Sequence, residues 1–251
     1  MSQLPANVKE VSLQKTNITS LTLKGSKAER VNAKGCTNLT NIDAEDNTSL
    51  TDLDVSDTSI TSLNVKNCAR LQSLNCSSCD LEAGYLNLEG CINLVSLDIS
   101  KNHFGWFDYS ESDLDSFECY SQDITGWESK TTFNFTKFFN SGDVTAAGVH
   151  IMASAYTANV VGITGCNESG DKILTEYDSE TGIAAFESAP AVIKYFYNTS
   201  FKNSSMDVTI RASGYQEEAD HHLGDSGGCN SGLSVSSLIF AAFAFMFNKR
   251  H

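Results

Sequence analysis

The chain has 251 residues, 41% of them hydrophobic, enough for one large core or two modest ones, which excludes a disordered or short disulfide-stapled protein. Lys+Arg 17 against Asp+Glu 31 leaves a formal charge of -14, so the chain lacks the positive footprint that phosphate backbones and anionic lipid headgroups require. Nucleic acid is thereby excluded as a partner.

From the N-terminus an apolar-x-x-apolar-x-apolar unit recurs every 10 or 11 residues. It reads VKEVSL from Val8, ITSLTL from Ile18, AERVNA from Ala28, LTNIDA from Leu39, LTDLDV from Leu50 and ITSLNV from Ile60. It continues as LQSLNC from Leu71, LVSLDI from Leu94, FGWFDY from Phe104 and LDSFEC from Leu114, interrupted only by the longer LEAGYLNL from Leu81. Three positions after its last apolar residue each unit carries a small polar residue or Cys: Thr16, Ser26, Cys36, Asn47, Thr58, Cys68, Cys79, Cys91, Asn102 and Ser112.

Apolar, x, apolar, two residues, then Asn, Cys, Thr or Ser is the pattern by which this half of the chain, Val8 to about Trp127, resembles leucine-rich repeat proteins of bacterial surfaces. The period is half the family's usual one. We therefore read each coil as two half-turns of about 21 residues together, five or six coils in all. Stacked apolar triplets form the core, and the small polar residue turns inward to satisfy backbone groups at the bend. Cys36, Cys68, Cys79 and Cys91 are then buried reduced thiols, while Cys76 and Cys119 serve as small hydrophobes at the third apolar position. Cys76-x-x-Cys79 lacks a second pair at zinc-binding spacing, so no metal is expected there.

The aromatics mark a change of construction, since before Phe104 the only one is Tyr85. Beyond Phe133 short alternating stretches, among them DKILTEYDSETGIAAFESAP, AVIKYFYNTSF and MDVTIRAS, predict strands separated by Gly, Asn, Asp and Ser turns. The fold class expected is thus mainly β: a leucine-rich repeat solenoid (1–130), then a small immunoglobulin-like β-sandwich (131–213). Cys166, in GCNESGDK, has no evident partner.

An acidic, Gly-rich tether (214–232) follows, and the chain closes with a C-terminal hydrophobic helix and a basic end (233–251). Ser226-Gly227-Gly228-Cys229 before that apolar stretch resembles the GlyGly-CTERM and Synerg-CTERM sorting tails of bacteria. The resemblance implies that Gly227, Gly228 and Cys229 form a recognition and processing site for a membrane-embedded protease. It also implies a precursor held in the membrane by its tail. Met1 to Leu13 shows no basic n-region and apolar h-region, and the repeat begins without a polar cap, so the sequence is expected to be the C-terminal part of a longer precursor.

No nucleophile, metalloprotease, Walker or dinucleotide fingerprint accompanies the five His, and no cofactor is expected. His221 and His222 in EEADHH read as solvated residues of the tether. The residue between the second and third apolar positions faces outward on every strand. With two half-turns per coil these residues form two stripes: Asn32, Asp54, Asn75, Asp98 and Glu118 on one face, and Asp43, Asn64, Asn87 and Asp108 on the other. Such a row of carboxylates and amides, spaced about 5 Å apart, suits cations or polar ligands such as glycans, or else serves as a solvated face that keeps the solenoid soluble. Trp106, beside Asp108, is the aromatic candidate on an outward position, either as an interface anchor or packed against the following domain. The expected function is a non-catalytic, cell-surface interaction or adhesion protein with a protein or glycan ligand. A polysaccharide-acting parallel β-helix enzyme and a structural spacer are the alternatives.

Overall fold

The computed structural model describes residues 2–3, 7–82, 85–107, 114–139, 157–199 and 204–215. Strands β1 (Ser2–Gln3), β3 (Ser20–Thr22), β5 (Asn41–Asp43), β7 (Leu63–Asn64) and β9 (Leu86–Asn87) stack into one parallel sheet, sheet I. Strands β2 (Glu10–Ser12), β4 (Arg30–Asn32), β6 (Asp52–Asp54), β8 (Ser73–Asn75), β10 (Ser96–Asp98) and β11 (Ser116–Glu118) stack into another, sheet II. Because consecutive strands alternate between the sheets, each coil is two half-turns, as the repeat requires. Strands β2 to β10 of these sheets present their apolar residue to the core, and Phe117 of β11 packs half-buried against it. Leu21, Ile42 and Leu63 pair in register in sheet I, and Val31, Leu53, Leu74 and Leu97 do so in sheet II.

The bends are held by side-chain rungs. Each long enough polar side chain reaches the carbonyl at the third apolar position of the preceding coil. Cys36 donates to Leu13 O at 2.9 Å, Asn47 to Leu23 O at 3.1 Å and Cys68 to Ala44 O at 3.1 Å. Cys79 donates to Val55 O at 3.3 Å, Cys91 to Val65 O at 3.1 Å and Asn102 to Cys76 O at 2.9 Å. The threonines take part differently, Thr16 Oγ1 lying 3.4 Å from Cys36 Sγ and Thr58 Oγ1 3.3 Å from Cys79 Sγ of the next coil. Thr16 and Thr58 bond Leu13 O and Val55 O within their own coil, the same carbonyls that the next coil's Cys36 and Cys79 reach. Gln122, not anticipated from the sequence, is the last described rung, donating to Ile99 O at 2.9 Å.

The residue before each described rung adopts left-handed backbone, with φ from 52° at Ser78 to 77° at Gly90. Gly fills this place at residues 25, 35 and 90; Asp46, Asp57 and Asn67 are types that tolerate it, whereas Lys15, Ser78, Lys101 and Ser121 accept the strain. Gly90 has a second reason to be Gly, because a Cβ there would lie 2.8 Å from Asn67 Oδ1 and 3.1 Å from Asn67 Cα in the neighbouring coil.

Cys36, Cys68, Cys76, Cys79, Cys91 and Cys119 are buried and free. Burial pushes the Cys68 thiol up to about 11 and that of Cys119 to about 12, which keeps both protonated at neutral pH; Cys68 is thereby able to donate to its rung carbonyl. In the native protein these six thiols are expected to resist alkylation at about pH 8 and to react fully after denaturation without reductant. Blocked thiols among the rungs would contradict the ladder. The raised Cys68 pKa also gives a sign to the pH dependence. Its contribution to stability is full below the ordinary value of 9.0 and is lost as pH rises towards about 11.

Beyond the solenoid the chain builds two further sheets. Sheet III contains β12 (Gln122–Trp127), β14 (Val160–Cys166), β15 (Lys172–Ile173), β18 (Val192–Asn198) and β19 (Ser205–Ala212), in the order β12-β19-β18-β14-β15. Sheet IV contains β13 (Thr132–Asn134), β16 (Thr175–Asp178) and β17 (Ile183–Phe186), with β17 central. A short helix α1 (Phe135–Phe139) adds Phe135 and Phe139 to an aromatic core that includes Phe133, Tyr195 and Tyr197. β18 alternates as its sequence suggests, with Ile193, Tyr195 and Tyr197 buried while Lys194 and Phe196 are half-buried.

The two halves share one hydrophobic cluster. β12 begins as the last rung and then pairs in parallel with β19, Gln122 opposite Val208 and Ile124 opposite Ile210. Tyr195 Oη donates to Gly105 O at 2.7 Å, and Arg211 Nε lies 3.1 Å from both carboxylate oxygens of Asp123. Cys166, left unpartnered by the sequence reading, is disulfide-bonded and fully buried beside Ala191 and Val192. No helix among the described residues is long and apolar enough to cross a membrane. The expected tail helix (233–251) and the tether with Gly227, Gly228 and Cys229 lie outside the described residues.

Candidate functional site

The strand registers gather the first predicted stripe into one row. Asn32, Asp54, Asn75, Asp98 and Glu118 are direct neighbours along sheet II, with Ser12 before them. Asp43, Asn64 and Asn87 align likewise on sheet I; Asp108 lies outside the described residues. A parallel row that the sequence reading missed, Glu10, Arg30, Asp52, Ser73, Ser96 and Ser116, flanks the first on the same face of sheet II. It is outward because it lies one residue before the buried centre of each strand, a position legible from the two-residue alternation of strands.

The rows also have a structural duty. From Asn32 to Asp98 each Asn or Asp accepts the backbone N–H two residues on, at 2.9–3.3 Å, closing a side-chain turn where the strand enters the bend. Asp54 and Asn75 additionally accept the hydroxyls of Ser56 and Ser77, both at 2.7 Å. One side-chain oxygen of each is therefore committed to the turn. Short side chains leave a shallow groove across β4, β6 and β8, floored by Arg30, Asn32, Asp52, Asp54, Ser73 and Asn75. Arg30 pairs with Glu10 at its rim. Towards the C-terminal end the row is acidic, with Asp98 and an exposed Glu118.

Trp106 does not extend this surface. It is 6% exposed and belongs to the hydrophobic cluster that the two halves share. A Cβ at Gly105 would lie 2.7 Å from the Phe138 ring. Among the described residues no group of three or more His, Cys, Asp or Glu is placed to hold a metal ion.

Two short-stranded parallel sheets, an inward apolar repeat and side-chain rungs at the bends define a β solenoid of the leucine-rich repeat type. No protein-family model matches the chain, and no curated protein matches it in sequence. Among solved structures it is similar to the functional domain of InlJ from Listeria monocytogenes, which includes a cysteine ladder, at 18% identity and a TM-score of 0.44. That match covers 78% of this chain and 43% of InlJ's, so this chain spans less than half of that domain's length. It is also similar to the internalin-like protein lmo2027 of the same organism, at 16% identity and a TM-score of 0.34, covering 84% of this chain and 70% of that one. For InlP of Listeria monocytogenes the values are 13% identity, a TM-score of 0.35, and coverage of 84% and 77%.

Proposed function

We propose that the chain is a non-catalytic cell-surface interaction protein whose solenoid offers sheet II to a protein or glycan ligand. The observation that supports this most is the continuous outward row Asp54, Asn75, Asp98 and Glu118, whose first two members line the shallow groove across the N-terminal strands of sheet II. Arg30, the arginine on this face, is engaged by Glu10, which disfavours a lyase-type base there. In this reading the two-sheet unit is an immunoglobulin-like spacer. Gly227, Gly228 and Cys229 would be read by a membrane protease that releases the mature protein to the surface, a role supported by the order of sequence features alone.

A glycan and protein array probed with the full chain identifies the ligand, and a double variant tests the row. Asp54→Asn with Asp98→Asn removes two charges but keeps the turn acceptor, as Asn75 does between them at 3.0 Å to Ser77 N. Binding is expected to fall at least about tenfold, or about 1.4 kcal/mol, while stability changes by less than about 0.5 kcal/mol. A fall of less than about threefold assigns the row to solvation alone.

A further inference from the structure

The first two bends leading from sheet II to sheet I carry a triplet whose middle residue packs against or within the core and whose flanks face solvent. In two adjacent coils that triplet is Asn17-Ile18-Thr19 and Asn38-Leu39-Thr40. Leu21 pairs with Ile42, so Asn17 and Asn38, four residues earlier in each coil, occupy equivalent places. Asn17, Thr19, Asn38 and Thr40 are all exposed, whereas Leu39 is fully buried. Thr40 N donates to Thr19 O at 3.1 Å and Thr40 Oγ1 to the same carbonyl at 3.4 Å, which stacks one triplet on the other while the Thr19 hydroxyl and both Asn side chains keep their solvent exposure. Neither Asn17 nor Asn38 has a side-chain hydrogen bond among the described residues.

Asn-x-Thr with both flanks outward is the acceptor pattern for asparagine-linked sugar. We propose that this bend is an N-glycosylation site in which Asn17 and Asn38 are alternative acceptors. The donor class is a lipid-diphosphate-linked oligosaccharide. Asparagine Nδ2 attacks the anomeric carbon, the bond from that carbon to the diphosphate oxygen breaks, and the lipid diphosphate leaves with the electron pair. One amide proton passes to a base of the transferase, and nothing is oxidised or reduced. Coils stacked about 4.8 Å apart crowd two core sugars, so one acceptor carries the glycan at a time. The sugar would stand at the narrow edge between the sheets and leave the row of Asp54 and Asp98 open.

The other two Asn-x-Ser/Thr triplets of the solenoid are built differently. Asn47-Thr48-Ser49 starts on a rung: Asn47 is 1% exposed and its Nδ2 donates to Leu23 O at 3.1 Å and Ser26 Oγ at 3.2 Å. A sugar there would break the ladder. Asn75-Cys76-Ser77 has a buried centre, a half-buried Asn and a hydroxyl turned back onto Asn75 Oδ1.

The inference rests on the proposed export to the cell surface, and the experiment separates the two. The full chain is purified from the cells that make it and its peptides are weighed before and after a deglycosylating amidase in heavy-oxygen water; intact cells are treated in parallel with protease. Asn17 or Asn38 is expected to convert to labelled Asp, with Asn47 unlabelled. Asn17→Gln moves the label to Asn38, Asn38→Gln moves it to Asn17, and Thr19→Ala with Thr40→Ala abolishes both while keeping the asparagines. Unlabelled Asn17 and Asn38 in protein that the protease reaches overturn glycosylation and leave the surface reading standing. Unlabelled protein that the protease does not reach overturns both, and labelled protein that it does not reach overturns only the surface reading.

Discussion

Asn102→Ala is expected to lower the unfolding free energy by roughly 3 kcal/mol, against about 1 kcal/mol for Cys91→Ala. Asn102 is 1% exposed, and its Nδ2 donates to Cys76 O at 2.9 Å, Ile99 O at 2.9 Å and Ser100 O at 3.2 Å. Its Oδ1 accepts Leu81 N at 3.1 Å, so a single side chain satisfies backbone groups of two coils. Alanine strands these groups away from water, and the penalty for a buried unpaired polar group exceeds the gain that the bond gave. Cys91 donates a weak thiol bond to Val65 O at 3.1 Å, so its loss is milder. Denaturant unfolding of the full chain reads the difference, and hydrogen exchange should show the Leu81 amide losing protection in Asn102→Ala. Equal effects for the two variants would mean that side-chain rungs do not hold the coils.

Tyr195→Ala is expected to cost about 4 kcal/mol and Tyr195→Phe about 1.5 kcal/mol, with both raising the rate of proteolysis near Gly105. The ring packs edge-on against Phe135 with centroids 4.9 Å apart, and the hydroxyl is a direct hydrogen-bond link from the second unit to the last coils of the solenoid. Burial pushes the Tyr195 hydroxyl well above its ordinary value, so it stays protonated and can donate to the Gly105 carbonyl. Phe keeps the ring and removes only the donor. Stability and protease sensitivity measured on the same samples distinguish a broken junction from general loosening. A Tyr195→Phe variant that unfolds like the parent would remove this hydrogen bond from the coupling of the two units.

Much of the outward row was legible because one pattern repeats. Asn32, Asp54, Asn75, Asp98 and Glu118 were separable from Asp43, Asn64 and Asn87 by counting half-turns, and the pairing of Leu53 with Leu74 and Leu97 places them so. What counting missed is that Asp54 and Asp98 each spend an oxygen on the turn that follows, which depends on the local backbone rather than on the period. Gln122 escaped notice as a rung because Gln is longer than the residues of the pattern, although its place, three after Cys119, was regular.

The sequence by itself determined the solenoid, its two half-turns per coil, the inward thiols and the rungs. Stacked coils of equal shape demand the same residue types at the same intervals, so the constraint is written once per repeat. Only the tertiary structure decided that Trp106 is covered, that β12 leaves the solenoid to pair with β19, and that Cys166 is bridged. These depend on single contacts between residues far apart, such as Tyr195 with Gly105 across 90 positions, and no repetition announces them. Trp106 lies in the cluster common to both halves, and the approach of the Phe138 ring to neighbouring Gly105 is a packing event with no period to read.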